Sequence, residues 1–167
     1  MFSLNRIIFV LFIGIVHIKM KNLIILDLDN TLIYGTSNPD LSANILFRLS
    51  RNLIIYERPH AKEFVRNCHE VGDVVVFTTA AREYAQKVCD ALKINPFELF
   101  TREDYLIENG WYIKSIPDYY FDVYDQFIII DDIPEIWDKV SRKKSRIIKV
   151  AEFTGDSKDD ELDKIKL

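Results

Sequence analysis

Cysteine, glycine and proline are scarce in this chain of 167 residues, which has two, five and five of them respectively. Two cysteines, Cys68 and Cys89, cannot build a disulfide framework, and the absence of any CxxC spacing removes the usual zinc signatures. Both read as small buried apolar residues of a protein kept in a reducing setting, cytoplasmic or nuclear. No Pro/Gly/Ser-rich linker, low-complexity tract or internal repeat interrupts the chain, which excludes solenoids and flexible multi-module arrangements. An excess of positive charge is also missing. Lys plus Arg number 22 against 26 Asp plus Glu, a net charge of −4, so no direct nucleic-acid binding is expected, although a few local cations can still hold an anionic substrate. What is present is ordinary: 49% apolar and 29% charged residues are enough for a core, and the length suits one domain of the usual ~100 to 200 residues.

Long hydrophobic runs are missing too, with one short exception. Ile7 to Val16 is an unbroken apolar stretch of ten residues behind Arg6, well under the roughly 17 to 25 residues of a membrane span. His17-Ile18-Lys19 offers no small-residue cleavage site for a secretory signal. A second methionine, Met20, directly precedes Lys21-Asn22 and an apolar strand. The chain therefore divides into an apolar segment 1–19, dispensable to the fold or signal-like, a globular domain 20–155 and a charged tail 156–167. Membrane association would require residues 1–19 to act as an anchor.

Three short apolar runs, Leu23 to Leu26, Val74 to Phe77 and Phe127 to Ile130, have the composition of strands buried on both faces of a parallel sheet. Each ends in a polar residue: Asp27, Thr78 and Asp131. Between them lie helical patterns. Ala61, Phe64, Val65, Cys68 and Val71 share one face of a segment bounded by Pro59 and Gly72, and Ala85, Val88, Cys89 and Leu92 share one face of a helix over about Arg82 to Lys93. Strand alternating with helix predicts an α/β three-layer sandwich with a central parallel sheet, and the intervals 31–58 and 79–113 are too short for a large cap domain. Ligands of such sheets bind outside the carboxyl ends of the strands. Asp27, Asp29, Thr78, Asp131 and Asp132 would converge there.

Asp27-Leu28-Asp29-Asn30-Thr31 alone is compatible with two aspartates making turn and cap hydrogen bonds. A second acidic pair, Asp131-Asp132, after another apolar strand changes that reading, because four carboxylates at one sheet edge repel and raise one another's pKa values. A divalent cation relieves the repulsion, and oxygen-only ligands without a His or Cys cluster select a hard ion such as Mg²⁺. A Mg²⁺ beside an exposed carboxylate suggests phosphoryl transfer through an aspartyl-phosphate.

These residues resemble the haloacid dehalogenase superfamily and, within it, the phosphatases of the RNA polymerase II C-terminal domain. Asp27-Leu28-Asp29-Asn30-Thr31-Leu32 matches the DxDxT loop, whose first Asp is the nucleophile and whose second is the general acid and base. Glu57-Arg58-Pro59-His60-Ala61-Lys62-Glu63-Phe64 is similar to the RP-xxx-EF segment that follows it. Phe77-Thr78-Thr79-Ala80-Ala81-Arg82-Glu83-Tyr84 resembles the second motif, in which the Thr binds the phosphoryl group. Lys114 matches the lysine that balances nucleophile and phosphate. Arg102 stands where small members carry a substrate-contacting Arg, and Asp131-Asp132 through Trp137 is similar to a metal-binding DDxxxxW.

The resemblance implies catalysis by Asp27, Asp29, Thr78 and Lys114, substrate contacts from Thr79, Arg82, Tyr84 and Arg102, and Mg²⁺ held by Asp27, the main-chain carbonyl of Asp29, and Asp131 or Asp132. Its implied substrate is phosphoserine or phosphothreonine in a protein or peptide, since an uncapped site stays open to macromolecules. A small-molecule or nucleotide phosphatase of the same superfamily is the alternative enzyme. A non-catalytic binding protein, of the mitochondrial import receptor type, is the alternative outside enzymes. Individually the residues have plainer readings: Thr78 and Thr79 as helix caps, Arg82 as a first-turn residue, Lys114 as a solvated lysine. His60 and His69 have no nucleophile elbow for a hydrolase triad. Tyr119, Tyr120, Phe121 and Tyr124 read as packing. Arg142, Lys143, Lys144, Arg146 and Lys149 read as a solvated face, or as a guide for an acidic substrate.

Overall fold

Apolar side chains on both faces place residues 22–26, 73–77 and 126–131 in the middle of a sheet, where neither face meets water. In the computed structural model, which describes residues 21–108 and 110–167, the elements are β1 (Asn22–Leu26), β2 (Ile33–Thr36), β3 (Asn44–Ser50), β4 (Leu53–Glu57), α1 (Ala61–Val71), β5 (Asp73–Phe77), α2 (Arg82–Leu92), β6 (Glu98–Phe100), β7 (Leu106–Glu108), β8 (Trp111–Ile113), β9 (Gln126–Asp131), α3 (Lys139–Lys144) and β10 (Arg146–Lys149). The expectation for residues 1–19 lies outside the described residues. Among the described residues no helix is long and apolar enough to cross a membrane.

Five strands form one parallel sheet in the order β10-β9-β1-β5-β6. The three apolar runs are therefore neighbours, and their polar ends lie side by side. Side chains alternate between the faces. Ile24, Leu26, Val74, Val76, Ile128 and Ile130 pack beneath α1 and α2, which bury the stripes expected from their spacing. Leu23, Ile25, Val75, Phe77 and Ile129 face a thinner third layer made by Ile116, Tyr120, Tyr124 and Trp137. The fold is thus an α/β sandwich around a parallel sheet, as predicted. Gly72 closes α1 with an extended backbone rather than a left-handed turn, and it is needed there because a Cβ would run into the Asn22 carbonyl of β1. Cys68 and Cys89 are buried free thiols, and burial pushes both up to about 12.

The interval between Thr31 and Arg58 holds a small antiparallel sheet, β2-β4-β3. It is a wall of the same domain: Ile33 and Ile55 enter the main core, while Ile54 and Tyr56 pack on Phe153. The C-terminal residues are charged and also packed. Val150, Phe153 and Leu162 are buried, and the Phe153 amide donates to the Asn30 carbonyl at 2.7 Å.

Candidate active site

The loop after β1 is shaped by local hydrogen bonds. Leu32 and Ile33 donate to the Leu28 carbonyl at 2.8 and 3.1 Å, and Asn30 donates to the Ile33 carbonyl at 2.7 Å. This tight reversal puts Asn30 in the left-handed region (φ 62°), which asparagine tolerates better than most residues. Asp27 and Asp29 thereby leave the strand end into one recess.

Around Asp27 the site is ionic. Lys114 Nζ donates to Asp27 Oδ1 at 2.7 Å and to Asp131 Oδ2 at 2.8 Å. Lys114 is only 2% exposed, and its backbone is fixed by exchange with the segment near Trp137: its amide donates to the Ile136 carbonyl at 3.0 Å, and its carbonyl accepts from the Asp138 amide at 2.9 Å. Asp131 is further held by the Trp137 indole at 2.9 Å and the Ile133 amide at 2.8 Å. Asp132 exchanges hydrogen bonds with Thr31, at 3.2 Å from the hydroxyl and 3.1 Å to it. Carboxylate oxygens of Asp27, Asp131 and Asp132 lie within 4.8 Å of one another. Fully ionised, these three and Lys114 would leave two uncompensated negative charges. Burial accordingly pushes Asp27 up to about 8, with Asp131 adding to the rise and Lys114 opposing it. Burial would lower Lys114, but Asp27 and Asp131 outweigh it and raise the ammonium above its ordinary value. Burial also raises Asp132, reinforced by Asp131.

Around Asp29 the partners are neutral. Tyr84 OH donates to Oδ1 at 2.7 Å, and Thr78 makes a long contact to Oδ2 at 3.5 Å. Burial raises Asp29 above the ordinary carboxylate range despite these donors. Thr78 is oriented by the Ala80 amide, which donates to its hydroxyl at 3.1 Å. Beside Asp29 opens a cleft of about 450 Å³ whose lining includes Leu49, Leu53, Ile55, Thr79, Tyr84 and Arg102.

Of the residues proposed from sequence, Asp27, Lys114, Asp131 and Asp132 come together in one cluster, and Asp29, Thr78, Thr79, Tyr84 and Arg102 line the adjoining recess. Arg82 does not join them. Its guanidinium is committed to the Leu99 carbonyl at 3.1 Å and to Asp104 at 2.6 Å, bracing the turn after β6. Three contributions went unread. Tyr84 holds the Asp29 carboxyl, Trp137 holds Asp131, and Arg58 sets the DxDxT loop from behind. Arg58, with no exposed side-chain surface, reaches the Thr31 carbonyl at 2.9 Å, the Ala151 carbonyl at 2.8 Å and both oxygens of Asp159 at 2.7 and 2.8 Å. The signal for it was present: an Arg directly before Pro59, at a strand end, in a segment matching a family motif.

The family model of the NLI interacting factor-like phosphatases matches residues 22–167. The chain belongs to that family. An RNA polymerase II C-terminal domain phosphatase of Encephalitozoon cuniculi (strain GB-M1) is 25% identical over 130 residues, 73% of this chain and 30% of that protein. Phosphatase Herzog of Drosophila melanogaster is 30% identical over 122 residues, covering 68% and 34%. The human carboxy-terminal domain RNA polymerase II polypeptide A small phosphatase 1 is 30% identical over 104 residues, covering 58% and 40%. The chain thus spans between 30% and 40% of the length of these relatives. The solved structure of Fcp1, an essential RNA polymerase II CTD phosphatase, aligns with a TM-score of 0.56 at 20% identity over 81% of this chain and 42% of that one. That likeness is one of fold, the haloacid dehalogenase type.

Proposed function

We propose that the protein is a Mg²⁺-dependent phosphatase working through an aspartyl-phosphate, with phosphoserine or phosphothreonine of a protein as substrate. The observation that carries this is the different company of two carboxyls two residues apart: Asp27 faces the Lys114 ammonium, and Asp29 faces only hydroxyls. Paired titratable groups in unlike environments are how acid and nucleophile are told apart. Asp27 attacks phosphorus, forming a P–O bond as the ester P–O bond breaks, and Asp29 gives its proton to the departing alkoxide. Asp29 then takes a proton from the water that hydrolyses the acyl phosphate, returning Asp27 as a carboxylate. Lys114 and Thr78 donate to the phosphoryl oxygens, the main contribution the protein makes to such transfers.

The donor set fits a hard cation, since every group is an oxygen. Hydrogen bonds leave Asp27 Oδ2 and Asp132 Oδ2 without a donor among the described residues, whereas both oxygens of Asp131 are engaged. Asp27, Asp132 and the Asp29 carbonyl would therefore hold the ion, and Asp131 would organise Lys114. A bound Mg²⁺ supplies the positive charge that keeps Asp27 ionised and neutralises phosphoryl oxygens. The substrate class is supported by the wall-like β2-β4-β3 sheet, which leaves the recess open, and by the cleft beside Asp29, whose Leu49, Leu53 and Ile55 suit an apolar residue next to the phosphorylated one.

The test is turnover of an aryl phosphate by wild type and Asp27→Asn, with Mg²⁺ and in EDTA, followed by phosphopeptides and mononucleotides. Loss of the nucleophile is expected to cost far more than tenfold, about 1.4 kcal/mol of barrier. Retention of more than a tenth of the wild-type rate by Asp27→Asn, or full activity in EDTA, refutes the mechanism. Faster turnover of mononucleotides than of every phosphopeptide refutes the substrate class.

A further inference from the structure

Six cations and no acid fall between Lys139 and Lys149, a stretch that the chemistry above does not use. The helix dipole explains only part of it. Arg142, Lys143 and Lys144 occupy the last turn of α3, where positive charge is favourable, but Lys139 opens the helix, where it is not. Lys139 stands three residues before Arg142 and four before Lys143, so these like charges share a face and repel. All three are exposed, and none forms an ion pair among the described residues. Lys149 joins them: it shares the β10 face of Ile147, on the α3 side of the sheet, and donates to Glu135 at 3.3 Å. Glu135 lies below the ordinary carboxylate range through its own backbone first and Lys149 next, with Arg142 also close enough to contribute. Two other cations are spoken for. Arg146 turns to the opposite face and bonds the Lys166 carbonyl, and Lys144 sits 3.9 Å over the Phe121 ring.

The ridge of Lys139, Arg142, Lys143 and Lys149 is rigidly joined to the recess. The Asp138 amide bonds the Lys114 carbonyl, Ser141 Oγ accepts from the Ile116 amide at 2.9 Å, and Lys149 is the sheet partner of Asp131. The apolar cleft lies on the α2 side of the recess and the ridge on the α3 side, so a peptide reacting at Asp27 has an apolar wall on one side and a basic one on the other. Building on the phosphatase reading, we propose that this ridge docks a carboxylate-rich segment of the substrate polypeptide lying to one side of the phosphorylated residue. Lysines spread as point charges suit a run of carboxylates better than a single phosphate, which convergent arginines grip bidentately. Outside residues 139–149 the chain carries 26 acids against 16 bases. A long polyanion or a bilayer would meet that acidic remainder; a short peptide segment need not.

The deciding experiment compares labelled phosphoserine peptides of equal length, one neutral and others with four glutamates placed before or after the phosphoserine. Their binding to Asp27→Asn is followed by anisotropy, beside a single-stranded RNA and vesicles with phosphatidylserine. Wild-type kinetics on the same peptides supply KM and kcat. An acidic peptide is expected to bind about tenfold more tightly than the neutral one, with the gain in KM and not kcat, and to lose the advantage between about 50 and 300 mM salt. Adding Lys139→Glu, Arg142→Glu and Lys143→Glu to Asp27→Asn should abolish the preference, and the Gln triple should halve it on a logarithmic scale. Equal affinity for all peptides overturns the proposal, as does a preference that survives the triple reversal or ridge-dependent binding confined to RNA or vesicles. Because aryl phosphate turnover by wild type is scored separately, failure of the ridge is distinguishable from failure of the phosphatase reading.

Discussion

Lys114 and Arg58 are both cations without appreciable exposure, and their surroundings differ in a way that separates chemistry from architecture. Arg58 spends its fork on one carboxylate and two carbonyls, and the charges balance. Lys114 stands between two carboxylates with a third nearby, and the charges do not. A balanced buried pair holds segments together, here the DxDxT loop and the C-terminal residues. An unbalanced cluster of carboxylates is compatible with a divalent cation, which would supply the missing positive charge.

Breaking the structural member should give the largest effect. Arg58→Met strands Asp159 and two backbone carbonyls, a change that typically costs about 3–5 kcal/mol, and denaturant unfolding should show that loss with and without Mg²⁺. Replacing both partners, as in Arg58→Met with Asp159→Leu, should recover part of it. Recovery of the single variant by Mg²⁺ would mean that Arg58 belongs to the metal cluster after all.

Breaking the functional member should be next in size and different in kind. Lys114→Met is expected to lower kcat by about 10² to 10³, the usual consequence of removing a donor to developing phosphoryl charge. Its thermal stability, lowered in EDTA because Asp27 and Asp131 lose their counter-ion, should return with Mg²⁺ while the rate does not. A rate that returns with stability would reduce Lys114 to a structural lysine.

The smallest effect concerns pH. The folded value of Asp27, about 8 against an ordinary 3.8, means that the native state holds this proton more tightly than the unfolded chain. Stability from the neutral form is full below about 4 and is lost as pH rises through about 8. Asp27→Asn stays neutral throughout, so its melting temperature in EDTA should exceed that of wild type by at least ~2 °C at pH 8.5 and by less at pH 5. Differential scanning calorimetry at both pH values checks the sign. A gap that shrinks with rising pH contradicts the burial argument.

The same contrast explains what could be read without a structure. Leu23 to Leu26 and Phe127 to Ile130 announced themselves because strands buried on both faces are continuously apolar, and the polar residues ending them marked the site. Strand β3 did not, because none of its residues is buried and two register shifts, between Ile45 and Phe47 and between Arg48 and Ser50, break the period of two. Asp131 and Asp132 were legible as a pair but not by role, since the sequence does not say which of the two carboxylates the Trp137 indole and Lys114, 17 residues away, will saturate. Arg82 misled for a related reason: its position at the start of α2 does not encode that Asp104 captures its guanidinium.

The proposed mechanism centres on Asp27 as the covalent nucleophile and Asp29 as the base that frees it. Asp29→Asn mixed with an aryl phosphate and quenched in acid within one turnover should carry an added mass of about 80 Da, one phosphoryl group, on Asp27. The leaving aryl oxide needs no proton, so the first step proceeds and the second stalls. Turnover by this variant at the wild-type rate with no adduct, or an adduct on any other residue, would contradict both assignments.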